Sequence, residues 1–414
     1  MSQLKRLTTV TLDPAKCKGC LTCMKRCPTE AIRVRDGIAS VMYDKCVGCG
    51  ECVRLCPHHA KIPSYDKFEI VNDYKYKIAL PAPSFYGQFN NLHDVNYVLT
   101  GLKRLGFDDV FEVGRGAEIS TLVTQILLNK GHIPQPIIST ACPAVLELIN
   151  ARFSNLKKHL LNVLPPVDIS AKLAREKAVR LGYKEEEIGV FFISPCPAKV
   201  YALKSGMGVK VPYVNGVLSS GEMYMKLLPV MKLIDHPENL CKMGVTGLSW
   251  ASSGGEAAAA MRDKYLAADG IENVIRILES IENGTLNEIE FIELNACTGG
   301  CVGGVLNVEN PFVAKARLRQ LRIKFPQIAN SLVDLGKSAD YYLTEKEDEV
   351  ATPTLDTDRA AAFVKLLEIQ EMHSKLPQND CGLCGAPSCR AFCEDVVTGR
   401  LPKDTVCPQL KKDN

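Results

Sequence analysis

The central part of the chain alternates between short apolar runs and longer segments whose apolar residues recur with helical spacing. The apolar runs are KYKIALPAP, QPIIST, IGVFFIS and IEFIEL, and each has the composition of a strand buried on both faces. The segments AVLELINARF, ISAKLAREKAVRLGY and PFVAKARLRQLRI have the pattern of helices. Buried strands that alternate with helices are typical of parallel sheets, so the pattern predicts an α/β domain over residues 75–343.

Three of these apolar runs lead directly into cysteines. QPIIST runs into Cys142, IGVFFIS into Cys196, and IEFIEL into Cys297 and Cys301. The carboxyl ends of parallel strands form the ligand crevices of α/β sheets, and four thiolates are the ligand set of a 4Fe–4S cluster. The glycines of TGGCVGG would let the backbone approach such a bulky inorganic group. The alternative is that these are structural cysteines, which are among the most buried residues, and Cys241 is interpreted in that way.

A doubled cysteine motif stands at the N-terminus. Each copy has the spacing C-x2-C-x2-C-x3-C-P, which is the pattern of a two-cluster ferredoxin, in which the fourth cysteine of each copy serves the other cluster. Zinc is the alternative, but zinc sites use two separated pairs of ligands. The motif therefore predicts two 4Fe–4S clusters, one held by Cys17, Cys20, Cys23 and Cys56, the other by Cys46, Cys49, Cys52 and Cys27.

A second group of cysteines lies near the C-terminus. In NDCGLCGAPSC and the later CPQL, the predicted ligands of one further 4Fe–4S cluster are Cys381, Cys384, Cys389 and Cys407. A fifth thiol, Cys393, is interpreted as a packing residue. This segment resembles the small iron–sulfur domain shared by corrinoid proteins and several redox enzymes. The predicted organisation is a ferredoxin-like domain over residues 1–70, the domain of residues 75–343, an acidic linker over 344–358 and an iron–sulfur domain over 359–414.

The composition limits the classes of protein and partner that are possible. The 414 residues include 50 Lys and Arg against 47 Asp and Glu, a balance that predicts neither a nucleic-acid partner nor a membrane-surface partner. A hydrophobic fraction of 46% is ample for a core, yet no run has the length of a membrane helix and the first residues have no apolar signal core. We expect a cytoplasmic protein. Because disulfides are rare in that reducing compartment, most of the 18 cysteines are expected to bind metal.

The three cysteine segments, in this order, resemble the active-site signatures of the FeFe hydrogenases, and SSGGEAAAAMR resembles a helix-start segment of that family. The resemblance implies a two-lobed α/β domain whose cluster is held by Cys142, Cys196, Cys297 and Cys301. Cys301 would bridge this cluster to a diiron centre that carries CO, CN⁻ and an azadithiolate. Lys199 matches the lysine that contacts a cyanide ligand, and Glu293 matches the acidic residue that opens the third signature. Hydrogen chemistry of this kind belongs to anaerobic metabolism.

The chain departs from the family where protons move. The cysteine that usually precedes the first ligand is replaced by Ala141, which cannot relay a proton. The usual acidic carriers would lie near Thr121, Val123 and Thr124, and Glu118 is the only acid left in that segment.

Three further departures change the surroundings of the metal site. Two methionines that usually flank the diiron centre align with Ser194 and Asn295, and a glutamate aligns with Ala202. The pattern is similar to that of divergent FeFe hydrogenases regarded as sensors.

Three functions stay open at this point. The first is an oxidoreductase that interconverts H2 with protons and electrons, slowly because the usual relay is missing. The second is a hydrogen or redox sensor that passes electrons to a partner. The third is an iron–sulfur protein without the diiron centre. The expected partners are a ferredoxin-like or other redox protein and the diiron maturation machinery.

Overall fold

The computed structural model describes residues 8–260, 263–326, 335–344 and 355–410. These residues form the strands β1 Val10–Leu12, β2 Ile32–Arg35, β3 Ile38–Val41, β4 Lys61–Pro63, β5 Tyr76–Pro81, β6 Asp109–Val110, β7 Ile137–Ile138, β8 Ile188–Ser194, β9 Gly216–Ser219, β10 Tyr265–Asp269 and β11 Phe291–Asn295. They form the helices α1 Thr22–Lys25, α2 Glu51–Arg54, α3 Pro83–Tyr86, α4 Asn96–Arg104, α5 Val113–Lys130, α6 Pro143–Arg152, α7 Pro166–Arg180, α8 Pro197–Ser205, α9 Ser220–Met231, α10 Val245–Ser249, α11 Gly255–Ala260, α12 Ile271–Glu282, α13 Pro311–Arg322, α14 Arg359–Ser374 and α15 Cys389–Val397.

The chain divides into two compact units. The described residues up to Pro63 form one unit with those from 355 onward, and the residues from Ser64 to 344 form the other. Most of the predicted acidic linker, residues 345–354, lies outside the described residues. Within the part of the chain that the structure describes, no helix combines the length and the apolar character needed to cross a membrane.

The larger unit contains two parallel sheets, as an α/β fold requires. One has the strand order β6-β5-β8-β9 and the other has the order β10-β11-β7. The four strands predicted from apolar runs are β5, β7, β8 and β11, and all four are present. The three helices predicted from periodicity are also present, as α6, α7 and α13.

Both faces of the first sheet are covered, which explains the unbroken apolar run of β8. All seven residues of β8 are buried. Phe191 and Ile193 enter one hydrophobic cluster, which they share with residues of α4 and α9, while Val190 and Phe192 enter a second cluster with residues of α7. Because successive side chains of a strand point to opposite faces, only a strand that is covered on both sides needs apolar residues at every position.

The smaller unit joins the two ends of the chain. Strand β1 pairs antiparallel with β4, and β2 pairs antiparallel with β3. The backbone N–H of Val34 in β2 donates to the carbonyl of Gly385 at 2.9 Å, and Gly385 has φ +76°. A side chain at this glycine would place its Cβ 2.1 Å from the Val34 carbonyl oxygen, so the close approach requires glycine.

A buried ion cluster strengthens this contact. Asp395 of α15 is completely buried and accepts hydrogen bonds from Arg33 at 2.6 and 3.1 Å and from Arg35 at 2.5 Å. Lys25 donates to the carbonyls of Asp380 and Pro387 in the C-terminal segment. A buried carboxylate is costly without such partners, so these contacts fix the C-terminal segment against the β2–β3 hairpin.

Candidate metal centre

Cys142 and Cys196 are placed by the same local structure. Each follows a strand, β7 or β8, and each is the N-cap of a helix whose first residue is proline, Pro143 in α6 and Pro197 in α8. Proline suits this first helical position because its missing N–H would have no partner there. Both thiols therefore lie at helix N-termini, where the partial positive charge of the helix favours the thiolate that a metal binds.

The third segment follows β11 and forms a tight turn that contains Cys297 and Cys301. Gly300 has φ +88°, and a Cβ there would lie 2.4 Å from the backbone nitrogen of Ser253. A Cβ at Gly304 would lie 2.2 Å from the carbonyl oxygen of Pro195. The glycines thus allow this loop to pack against the backbone of two neighbouring loops, which is a different reason from the approach to an inorganic group that the sequence suggested.

Lys199 of α8 lies among the four predicted cluster ligands. Its Nζ donates to the carbonyl of Ala141 at 3.2 Å and lies 4.0 Å from the sulfur of Cys301. Burial alone would lower the pKa of Lys199, but the surrounding thiols outweigh burial and raise it above its usual value. These thiols belong to Cys301, Cys196, Cys142 and Cys297. The structure therefore brings the three distant segments together around one ammonium group.

The donor set fits an anionic iron–sulfur cluster. Burial raises the pKa of Cys196 to about 12 and also raises that of Cys301, while the nearby charge of Lys199 opposes both shifts. Metal deprotonates a coordinating thiol outright, so a bound cluster would fix negative charge beside Lys199. Four thiols are the ligand set of a 4Fe–4S cluster.

A cavity lies beside Cys301 and is also lined by Lys199 and Ala141. A diiron centre attached to Cys301 would be held here, with the ammonium of Lys199 as donor to an anionic ligand. Two carboxylates, Glu256 and Glu293, line the same cavity.

Glu256 is a functional candidate that the sequence analysis did not single out. The hydroxyl of Ser139 donates to both of its oxygens at 2.7 Å, and the N–H of Ala141 donates to the Ser139 hydroxyl at 3.2 Å. Burial, and then the nearby charge of Glu293, raise the pKa of Glu256 to about 8. The only sequence signal was an acid inside the helix-start segment SSGGEAAAAMR, whose last two residues lie outside the described residues.

Glu293 holds in place the loop that carries Glu256. It accepts hydrogen bonds from the N–H of Gly254 at 3.0 Å, from the N–H of Ala257 at 2.9 Å and from the amide of Asn295 at 2.7 Å. Burial raises its pKa, although these hydrogen bonds oppose the effect. Asn295, one of the two residues that align with methionine, is therefore a donor to this acid. A contact of Glu293 with a cofactor stays a prediction.

Two positions of the expected relay segment, and one position that aligns with methionine, make hydrogen bonds to neighbouring groups. Glu118 accepts from the N–H of Gly244 at 2.6 Å, and Thr121 accepts from the indole of Trp250 at 3.0 Å. Ser194 shapes the turn into the second signature, since its hydroxyl donates to the carbonyl of Cys196 at 3.0 Å. Among the charges that act on Cys301 are those of Glu293 and Glu256. The acids next to the metal site thus come from β11 and α11.

The ferredoxin-like thiols fall into the two crossed groups that the motif predicts. One cavity is lined by Cys17, Cys20, Cys23 and Cys56. The charges that raise the pKa of Cys49, after burial, include those of Cys27, Cys52 and Cys46. In each copy a backbone N–H donates to the fourth cysteine: Ala31 to Cys27 at 3.2 Å and Ala60 to Cys56 at 3.3 Å. This grouping supports the predicted ligand sets.

The fifth C-terminal thiol lies among the predicted ligands. Cys393 is completely buried on α15, and burial, followed by the charges of Cys389, Cys384 and Cys407, raises its pKa to about 11. The position places Cys393 within electrostatic reach of the other thiols, so its interpretation as a packing residue stays a prediction.

Comparison with known proteins places the chain in a family. A model described as "Iron only hydrogenase large subunit, C-terminal domain" matches residues 75–266 and 244–305, more than half of the 414 residues. A 4Fe-4S dicluster domain matches residues 9–57, and an Fe-S cluster domain matches residues 376–408. The chain therefore belongs to the iron-only, or FeFe, hydrogenase family.

Relatives and solved structures show how divergent this member is. The periplasmic Fe hydrogenase large subunit of Nitratidesulfovibrio vulgaris is 27% identical over 72% of this chain and 86% of its own length. Iron hydrogenase 1 of Clostridium pasteurianum is 22% identical over 60% of this chain, which spans 53% of that protein. A variant of FeFe hydrogenase HydA1 from Chlamydomonas reinhardtii matches the fold with a TM-score of 0.50 at 15% identity, over 68% of this chain and 93% of the other. The two-lobed hydrogenase fold with flanking iron–sulfur regions is thus confirmed.

The C-terminal ligand set can be tested by two single substitutions. We expect Cys407→Ala to remove one 4Fe–4S signal from the EPR spectrum and about four Fe per chain, the content of one such cluster. We expect Cys393→Ala to leave both unchanged, because the other four thiols complete the ligand set. Loss of the cluster from Cys393→Ala, with retention in Cys407→Ala, would exchange the roles of these two residues.

Proposed function

We propose that this protein interconverts H2 with protons and electrons at a diiron centre that Cys301 bridges to a 4Fe–4S cluster. The observation that carries the proposal is the arrangement of four thiols, from three strand ends, around Lys199 beside a cavity. The other three ligands of this cluster would be Cys142, Cys196 and Cys297. When bound, the diiron group supplies the redox chemistry of H2. The chain orients it through Cys301 and Lys199.

Proton exchange would run on the side of Glu256. Glu256 itself lines the cavity beside Cys301, and the Ser139 hydroxyl, which accepts from the N–H of Ala141, donates to its carboxyl and holds it in place. A carboxyl with a pKa of about 8 is matched to exchange near neutral pH. The side chain of Ala141 carries no exchangeable proton, so one link to the metal site is absent. We therefore expect slow turnover.

Electrons would reach the metal site through the two clusters of the N-terminal motif, through the cluster of the C-terminal segment, or through both. The partner would be a ferredoxin-like or other redox protein, and the diiron centre would come from its own maturation machinery. Lys25, beside the ferredoxin-like cysteines, already donates to the carbonyls of Asp380 and Pro387 in the C-terminal segment. A cytoplasmic location stays our prediction, although one relative is named as periplasmic.

Sensing of hydrogen or redox state is the second candidate. The alanine at position 141 and the polar residues at 194 and 295 favour it, because a sensor needs binding and electron exchange more than fast proton delivery. The iron–sulfur protein without diiron is the remaining alternative. The infrared experiment below separates it from the first two.

The decisive measurement is infrared spectroscopy after loading with the synthetic diiron cofactor. We expect CO and CN⁻ stretching bands in the wild type and in Cys241→Ser, whose thiol lies outside the metal site. We expect Cys301→Ser to lose the bands while the flanking clusters remain in the EPR spectrum. A wild type without these bands after loading would refute the diiron centre and favour the alternative without it.

The position of the acid can be tested with a matched pair of variants. We expect Glu256→Gln to lower hydrogen evolution, driven by methyl viologen and normalised to diiron content, by about 100-fold or more, the range of a general acid–base group. Glu118→Gln keeps an oxygen acceptor for Gly244, so its rate should stay within a few-fold of the wild type. Equal losses in both variants would contradict a specific role for Glu256.

Restoring the missing thiol should help only in part. We expect Ala141→Cys to raise the same normalised rate well short of about 100-fold, since a buried thiol has a raised pKa and little thiolate. The gain should vanish in Glu256→Gln, because the new thiol would have no acid behind it. A gain that persists there would place the proton route elsewhere.

A further inference from the structure

A second buried acid lies on the other side of Lys199. Asp168 is in the first turn of α7, only 4% exposed, and lines a cavity together with Ala141, Lys199 and Ala202. The cavity beside Cys301 is also lined by Lys199 and Ala141. Lys199 therefore lines two cavities, one together with Glu256 and the other together with Asp168.

Few charges face Asp168. Burial raises its pKa to about 7, and Lys199 from α8 opposes the effect. Tyr213, just before β9, has its pKa raised by burial and then by Asp168. On α5, which packs against α7, burial lowers the pKa of Arg115, and the charges that oppose this are those of Glu112, Asp109 and Glu118.

The carboxyl of Asp168 has no hydrogen-bond donor among the described residues beyond its charge contact with Lys199. Burial of a carboxylate with so little compensation is costly. Neighbouring Lys172 donates instead to the carbonyl of Asp340. The cation that acts on Asp168 is therefore Lys199, whose ammonium also lies beside the predicted bridging cysteine.

We propose that Asp168 is a positioning residue that sets the charge around Lys199 and thereby makes the reduction potential of the cluster depend on pH. Its carboxyl gains or loses one proton, which exchanges with water. The deprotonated form offsets the ammonium of Lys199, so an electron added to the cluster meets less positive charge. The reduction potential therefore falls as Asp168 deprotonates. This inference rests on the ligand set of the proposed function and needs no diiron centre.

The test uses the full chain with its iron–sulfur clusters and without the diiron cofactor. EPR-monitored redox titrations at pH 6, 7 and 8 follow the cluster signal that Cys196→Ser lacks. Because Glu256 titrates nearby, the comparison is made in Glu256→Gln. In the Glu256→Gln protein, the reduction potential of this cluster should fall as the pH rises from 6 to 8. Adding Asp168→Asn should abolish that shift, and adding Glu176→Gln, an exposed acid of the same helix, should leave it. An unchanged shift in the Asp168→Asn protein would overturn the proposal.

A second measurement needs no substitution. In wild-type protein labelled with ¹³C-aspartate, infrared difference spectra should show a label-sensitive protonated carboxyl band that disappears between pH 6 and 8. This experiment decides the matter if Asp168→Asn does not fold, since absence of the band would refute the proposal. Failure to bind the diiron cofactor would refute the proposed function. The redox titrations and the infrared difference spectra would still test the role of Asp168.

Discussion

The ammonium of Lys199 is the charge on which the metal site depends. It lies among the four predicted ligand thiols, and burial raises the pKa of two of them, Cys196 and Cys301. A cluster bound by the predicted thiolate ligands would add negative charge beside this ammonium. The three signature segments, which extend over more than 150 residues of the chain from Cys142 to Cys301, would then be held together by metal binding as well as by packing.

The sheets bring those segments together. Cys142 and Cys301 follow neighbouring strands of one sheet, β7 and β11, whereas Cys196 follows β8 of the other. Strands covered on both faces are visible in the sequence as unbroken apolar runs, and for that reason β5, β8 and β11 could be predicted. Strands β6, β9 and β10 could not. Strand β6 has only two residues, and β9, GVLS, has only four. Strand β10, YLAAD, is only partly buried, so none of the three shows a long continuous apolar run.

The cysteines of the site were predictable because strand, cysteine and proline occur in sequence order. Glu256 and Asp168 were not, since each approaches Lys199 only through the tertiary fold. Glu256 comes from a helix start that Glu293 of β11 ties down, and Asp168 comes from α7, which packs on the first sheet. The periodicity of the sequence carries no information about such tertiary contacts. The glycines were located correctly, but their contacts are with backbone, which depends on how loops pack against one another.

The asparagine at position 295 changes the hydrogen bonding of an acid that matches the family. Two buried carboxylates repel each other, and Glu293 accepts hydrogen bonds from backbone N–H groups and from Asn295. A methionine at position 295 could donate no hydrogen bond, so the asparagine adds one donor to this acid. The alanine at 141 leaves the Ser139 contact intact, since that contact uses the backbone N–H, which a cysteine would also supply. The alanine therefore removes only the ionisable thiol, and Glu256 and Glu293 stay beside the predicted metal site without the family's usual relay.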